Sequence, residues 1–247
     1  MKKYETKLEL DASLLEAQTA SPEDEEAAVL DGPGVEQFVA CDTASTAAHA
    51  FWDEVTRDLE PMKPRIRRPF ELDPDLIIRN VRLIKPKLVV RHMRMRNTEV
   101  IHQLVFSAQL QSEQSVNTTR SARTAERLRR RLLDASIQFR EEAYRGKNPG
   151  DDIRFGFEFD TVIPCGIRLS FDYLAAQVDY RIQNIESPGL RIGTWPADFV
   201  DDRLMEELAR WLLDQPHGLD ITKLGGPDDD STELDPSGVK ATRMFGH

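Results

Sequence analysis

Two cysteines, Cys41 and Cys165, are all the thiols that 247 residues contain. That is too few for a disulfide framework or a zinc quartet, so both are expected to remain free. There is no uninterrupted apolar run of the length a bilayer-spanning helix needs. The opening MKKYETKLELDASLLEAQ has acidic residues where a signal peptide would be apolar. The expectation is therefore a cytoplasmic chain without a membrane association. The 13 glycines are scattered and form neither GxGxxG nor GxxxxGK[ST], which removes the common phosphate-cradling loops. No serine stands in GxSxG, and Cys165 has no histidine close in sequence to activate it. The five histidines, His49, His92, His102, His217 and His247, lack zinc-site spacing, and His102 is expected in the core, facing Met93. No cofactor is implied.

What the chain does have is charge, unevenly laid out. The formal net charge is -10. Residues 1–62 carry -11, residues 63–147 carry +11 and residues 148–247 carry -10. A basic middle between acidic ends implies an acidic partner, inside or outside the chain.

Residues 1–44 are rich in Glu, Asp, Ala, Ser and Thr and are expected to be largely disordered; residues 217–247, centred on PDDDSTELDPSG, read as an acidic disordered tail. Between them, residues 45–216 read as one α+β domain. Ala48, Phe51, Trp52, Val55 and Leu59 share a helical face over 46–59, which Pro61 ends. The proline-rich PMKPRIRRPFELDPD is expected to be an irregular connector. LIIRNVRLI and LVVRHMRMR, parted at Lys85-Pro86-Lys87, and EVIHQLVFSAQL read as strands, the last two joined by a turn at Asn97-Thr98. After the polar SEQSVNTT, expected to be a loop, the absence of Gly and Pro over 121–144 predicts a long central helix. RFGFEFDTVI, IRLSFDY, AQVDYRIQNI and LRIGTW then predict an antiparallel β meander, with its first turn at Pro164-Cys165-Gly166. A C-terminal helix follows over 198–213, with Val200, Leu204, Leu208, Trp211 and Leu212 on one side. The meander is expected to pack against the central and C-terminal helices.

Two constellations could carry function. In RTAERLRRRLLDASIQFREE, five arginines fall within nine residues. On a helix, Arg120, Arg123, Arg127 and Arg131 (with Arg145) would line one flank, while Leu133, Ile137 and Tyr144 would form a second apolar stripe opposite the first. Two stripes need two packing partners, so these seven residues are read as a partner-binding set. His92, Arg94 and Arg96 could enlarge the basic patch for phosphate. The second constellation is acidic: a turn at 164–166 would gather Glu158, Asp160 and Asp172, with Asp179, on one sheet face. There either a divalent metal or Arg168 and Arg181 could neutralise them, and arginine is the favoured reading.

These features point to a non-catalytic adaptor or structural subunit of a cytosolic multiprotein assembly, engaging a protein partner or a second copy of itself. A nucleic-acid-associated protein that binds phosphates through the arginine helix is the alternative, and a metal-dependent hydrolase the third reading.

Overall fold

The computed structural model describes residues 34–95, 97–145 and 153–224. Helix α1 (Val35–Met62) leads into β1 (Arg65–Ile66), the β2–β3 hairpin (Phe70–Asp73, Leu76–Ile78) and the long strands β4 (Val81–Met95) and β5 (Thr98–Ser121). Helix α2 (Ala122–Asp134), β6 (Phe139–Tyr144), β7 (Arg154–Asp172), β8 (Gln177–Gln183) and β9 (Leu190–Pro196) follow. A short 3₁₀ turn (Ala197–Phe199), α3 (Asp202–Leu212) and a second 3₁₀ turn (Ile221–Lys223) complete the described chain. The fold is α+β: one curled antiparallel sheet in the order β1-β4-β5-β7-β8-β9, with β6 also pairing β7 and β2–β3 forming a small separate sheet.

Strict alternation sets the two faces of the sheet. Along β7, Phe157, Phe159, Ile163, Cys165, Ile167, Leu169 and Phe171 are buried, and the residues between them point to the opposite face. Helix α1 covers the buried face through Cys41, Ala44, Ala48, Trp52 and Leu59. Trp52 is fully buried, lies 4.7 Å ring to ring from Phe106, and donates its indole N–H to Met205 Sδ on α3 at 3.3 Å. Asp201 caps α3 by accepting from the Leu204 N–H at 2.8 Å, and Leu204, Met205, Leu208, Trp211 and Leu212 face inward.

The expected first helix is therefore present but begins ten residues before the reading at 45. Phe38 packs on Tyr173, with ring centroids 5.4 Å apart, and the small Cys41 and Ala44 let the helix approach the sheet. The composition of 35–44 hid these contacts because its anchors are small. The remainder of the expected disordered termini, residues 1–33 and 225–247, lies outside the described residues. Within the expected connector, the chain forms β1 and the β2–β3 hairpin, whose turn holds Pro74.

Three expected breaks are absent because long-range pairing overrides local signals. SEQSVNTT belongs to β5: Val116, Thr118 and Thr119 pair with Phe159, Phe157 and Gly156. The polar residues ahead of them are absorbed in a bulge between Gln111 and Ser115, where Thr161 Oγ1 donates to the carbonyls of Ser112 and Gln114. Lys85-Pro86-Lys87 is likewise a bulge inside β4, with Lys85 at φ 52.

Pro164-Cys165-Gly166, third, makes no turn. It lies in mid-β7, opposite Gln109, Ala108 and Ser107 of β5. The other edge of β7 is shared, β6 pairing residues 154–159 and β8 pairing 166–172. Pro164 falls in the gap, so its missing N–H costs no ladder bond. Gly166 is needed because a Cβ there would stand 2.5 Å from the Phe106 carbonyl oxygen. The meander that exists runs β7–β8–β9.

Asn184 closes the gap. Buried, and in the left-handed region at φ 52, it donates through Nδ2 to the carbonyls of Pro164 (2.8 Å) and Ala135 (3.2 Å). Its Oδ1 accepts from the Gly189 N–H at 3.0 Å. Asn184→Ala leaves these buried groups unmatched at a backbone angle that Ala resists. The expected loss is at least about 1–3 kcal/mol in denaturant unfolding; a change within about 0.5 kcal/mol would mean that water replaces the side chain.

Candidate docking surface on the arginine helix

Helix α2 starts where β5 ends, with Ser121 as its N-cap residue and its Oγ 3.0 Å from Thr124 Oγ1. Ala125, Leu128 and Leu132 form its one buried face. The helix stops at Asp134, ten residues before the expected end. Ser136 turns the chain at φ 54, donating its N–H to the Leu133 carbonyl, while the Ile137 N–H donates to the Leu132 carbonyl, both at 2.8 Å. From Phe139 the chain pairs with β7 as β6.

This corrects the two-stripe helix. Ile137 is 4% exposed and belongs to the core; Tyr144 is on β6, 51% exposed, its hydroxyl donating to Glu142 at 2.8 Å. Leu133 alone of the three remains on the solvent side of the helix, 58% exposed. The spacing of Ile137 and Tyr144 fits a helix only if the helix continues, and the 139–144 segment gains more by completing the edge of β7.

The arginines divide into two classes. Arg127 reaches Asp73 at the end of β2, with Nε 2.7 Å from Oδ1 and Nη2 donating to Oδ2 at 3.0 Å, and Nη2 also lies 3.3 Å from Asp75 Oδ2. The Asp73 side chain is fully buried, which makes this forked contact the neutraliser of a desolvated charge. The hydrogen bond and charge of Asp73 push the Arg127 pKa above its ordinary value. Arg129 forks in the same way to Glu141 on β6, at 2.9 and 2.6 Å, and also pairs with Glu126. Arg120 is on β5, not the helix, opposite Phe155, with Nη2 3.5 Å from the Asp75 carbonyl. Arg123 and Arg130 are exposed and Arg131 half-buried; among the described residues these three enter no ion pair or side-chain hydrogen bond.

The solvent face of α2 thus presents Arg123, Arg130 and Leu133, with Glu126 and Asp134 at its margins. Arg130 was not in the expected strip, though the 100° step that places Arg123 and Arg127 places it 20° from Arg123. The sequence offered no signal for Asp73, because its partner lies 54 residues away.

His92 and Arg94 do not enlarge this patch. Both are exposed near the Met95–Thr98 turn, Arg94 opposite Glu99, and almost the whole length of β5 separates them from α2. Arg96 lies outside the described residues. Registers at that turn are one residue off the expected ones, since Met95 pairs with Thr98 and Met93 with Val100. His102 sits beside a bulge and is exposed, not in the core.

The carboxylates do not converge. Glu158 lies opposite Asn117 and Arg140, and Arg140 pairs with it at 3.4 Å. Asp160 lies opposite Ser115. Asp172 is at the far end of the same strand, its Oδ1 accepting from the N–H groups of Leu174 (2.9 Å) and Ala175 (3.1 Å). Because β7 is continuous at 164–166, residues 158 and 172 cannot face each other. Arg168 and Arg181 face each other instead. No cluster of three or more His, Cys, Asp or Glu with metal-holding geometry occurs among the described residues. Burial pushes the Cys165 thiol up to about 12; burial and the Asp172 charge push Cys41 up to about 11, so neither is a thiolate near neutrality. No helix among the described residues is long and apolar enough to cross a membrane.

If Arg127 is structural and its neighbours are not, substitutions along one helix should separate. Arg127→Met leaves Asp73 buried without its counter-charge and should lower the thermal midpoint clearly. Arg123→Met and Arg130→Met should stay within about 0.5 kcal/mol of the parent. Equal midpoints for all three would mean that the Asp73 contact carries no weight.

No family model, no curated protein and no solved structure matches this chain.

Proposed function

We propose that the chain is a non-catalytic adaptor or structural subunit that docks an acidic protein surface, a partner's or a second copy's, on the solvent face of α2. The observation that supports this reading is the pairing of Arg123 and Arg130 with exposed Leu133 on a helix braced from behind by the Arg127–Asp73 and Arg129–Glu141 contacts. A braced helix presents guanidinium groups at little further entropic cost, and Arg suits forked contacts to carboxylates. An apolar side chain beside them supplies the desolvated centre that docking surfaces need.

A second surface fits the same role. The exposed apolar residues Val35 and Val39 on α1, Leu174 in the β7–β8 turn and Phe199 in the following 3₁₀ turn gather near one end of the sheet. Phe38 contacts Tyr173 there, and the Ala197 N–H donates to the Ala176 carbonyl at 2.9 Å. A multiprotein assembly in the cytoplasm would use both ends.

Phosphate is the competing occupant of the arginine face, and salt separates the two. Titration of the full chain with a fluorescent acidic, leucine-containing peptide and with a single- or double-stranded oligonucleotide distinguishes them. The peptide should bind and the oligonucleotide should not at physiological salt. The pair Arg123→Glu and Arg130→Glu should abolish peptide binding without moving the thermal midpoint. Oligonucleotide binding with a steep salt slope, removed by the same pair, would replace the adaptor reading with the nucleic-acid one. Binding of neither would remove the docking role from α2.

A further inference from the structure

The sheet face turned away from α1 and α3 carries a second basic region that owes nothing to α2. The register places Val89, Val105, Arg168, Arg181 and Ile192 in one row across five strands. On either side run Arg91, Gln103, Ser170, Asp179 and Thr194, and Lys87, Ser107, Gly166, Gln183 and Leu190. These three rows hold four cations and one carboxylate, and Asp179 already accepts from Thr194 Oγ1 at 2.7 Å. Arg168 is only 7% exposed although it lies mid-face, and Arg181 stands directly across from it. Like charges placed opposite each other on a sheet repel.

Gln103 adds an independent requirement. It is 6% exposed; its Nε2 donates to Ser170 Oγ at 3.1 Å, while its Oε1, and that of nearby Gln109, is buried without a hydrogen-bond partner among the described residues. The face therefore calls for carboxylates to meet guanidinium groups and for N–H donors to meet amide oxygens. An extended acidic peptide supplies both.

The chain has such a peptide within reach. Pro227–Gly238 reads PDDDSTELDPSG, with Asp228, Asp229, Asp230, Glu233 and Asp235. The described chain ends at Leu224, which is tied to the edge strand of the sheet: Arg191 on β9 donates to the carbonyls of Ile221 (3.4 Å) and Leu224 (3.3 Å). Arg181 is one strand inward and Arg168 two, roughly 5 and 10 Å away at ordinary strand spacing. Asp228–Asp230 follow four to six residues after Leu224, a reach of roughly 13–20 Å. A tether this short keeps the acidic run at an effective concentration in the millimolar range, enough to hold contacts that salt would otherwise screen.

We propose that the acidic segment Pro227–Gly238 docks in cis on the Arg91–Arg168–Arg181 face of the sheet, occupying it as a built-in acidic ligand. Burial and the neighbouring Arg181 and Arg91 charges lower the Arg168 pKa, and a docked carboxylate relieves that strain. The segment then acts as a salt-sensitive cover over one face of the protein, separate from the docking surface proposed on α2.

The test uses the full chain with Ser231→Cys carrying a nitroxide spin label. Cys41 and Cys165 are buried, so the label goes to the new thiol. Amide signals of Val105, Arg168 and Arg181 should lose most of their intensity at low salt and recover in 0.5 M NaCl. They should also recover when Asp228, Asp229 and Asp230 are all replaced by Asn. Unchanged intensities on this face, or losses that persist after the triple replacement, overturn the proposal. So does loss centred on Arg123 and Arg130, which would make α2 the segment's site. Loss that appears only between spin-labelled and isotope-labelled chains mixed together would assign the contact to a second copy and overturn docking in cis.

Discussion

Sixteen residue pairs join β5 to β7, from Gln103–Ser170 to Ser121–Arg154, and the positions of the other elements follow from that one ladder. It keeps β7 continuous through Pro164 and Gly166, where a local reading places a turn. It leaves a single gap on the outer edge of β7, which Asn184 closes and which β6 and β8 flank. It holds Phe106, Leu104, Leu169 and Ile167 side by side as the floor on which Trp52 of α1 sits. It also delivers the chain to Ser121, where α2 begins within reach of the β2–β3 hairpin and Asp73.

From that placement comes the division of labour among the arginines. Those that meet carboxylates across long loops, Arg127 with Asp73 and Arg129 with Glu141, brace the helix against β2 and β6. The ones turned outward have only solvent in front of them among the described residues. The same charge that a sequence reading treats as a single strip is thus divided between internal work and an outward face. A separate basic region, on the bare side of the sheet, arises from strand register alone: Arg168 and Arg181 are 13 positions apart in sequence and directly paired in space.

Much of this was legible from residue patterns. The alternation of Phe155, Phe157 and Phe159 and of Ile167, Leu169, Phe171 and Tyr173 gave the sheet and its buried face, and Leu204, Leu208 and Trp211 gave α3. The α+β class follows from those segments. What was not legible depended on partners distant in the chain. Pro164-Cys165-Gly166 has turn chemistry but sits between two strand neighbours; SEQSVNTT is polar but has a facing strand 40 or so residues on. Residues 121–144 have helical composition throughout, yet the last six complete an edge of β7, which moved Ile137 into the core and Tyr144 onto a strand. The grouping of Glu158, Asp160 and Asp172 failed for the same reason, since it depended on the turn that β7 does not make. Of the candidate docking residues, Arg123 and Leu133 remain on the surface where the helical wheel put them, and Arg127 proved to be committed internally.

Native-state hydrogen exchange along β5 and β7 tests the controlling role of the ladder most directly. If the ladder is one unit, amides from Leu104–Leu110 and from Val116–Thr119 exchange with the same free energy, equal to that of global unfolding, and the α2 amides of Leu128 and Leu132 exchange with them. If the Val116–Ser121 half and α2 open together at a distinctly lower free energy, the bulge at Gln111–Ser115 divides the molecule into two units. The account in which one continuous ladder positions the arginine helix would then be contradicted.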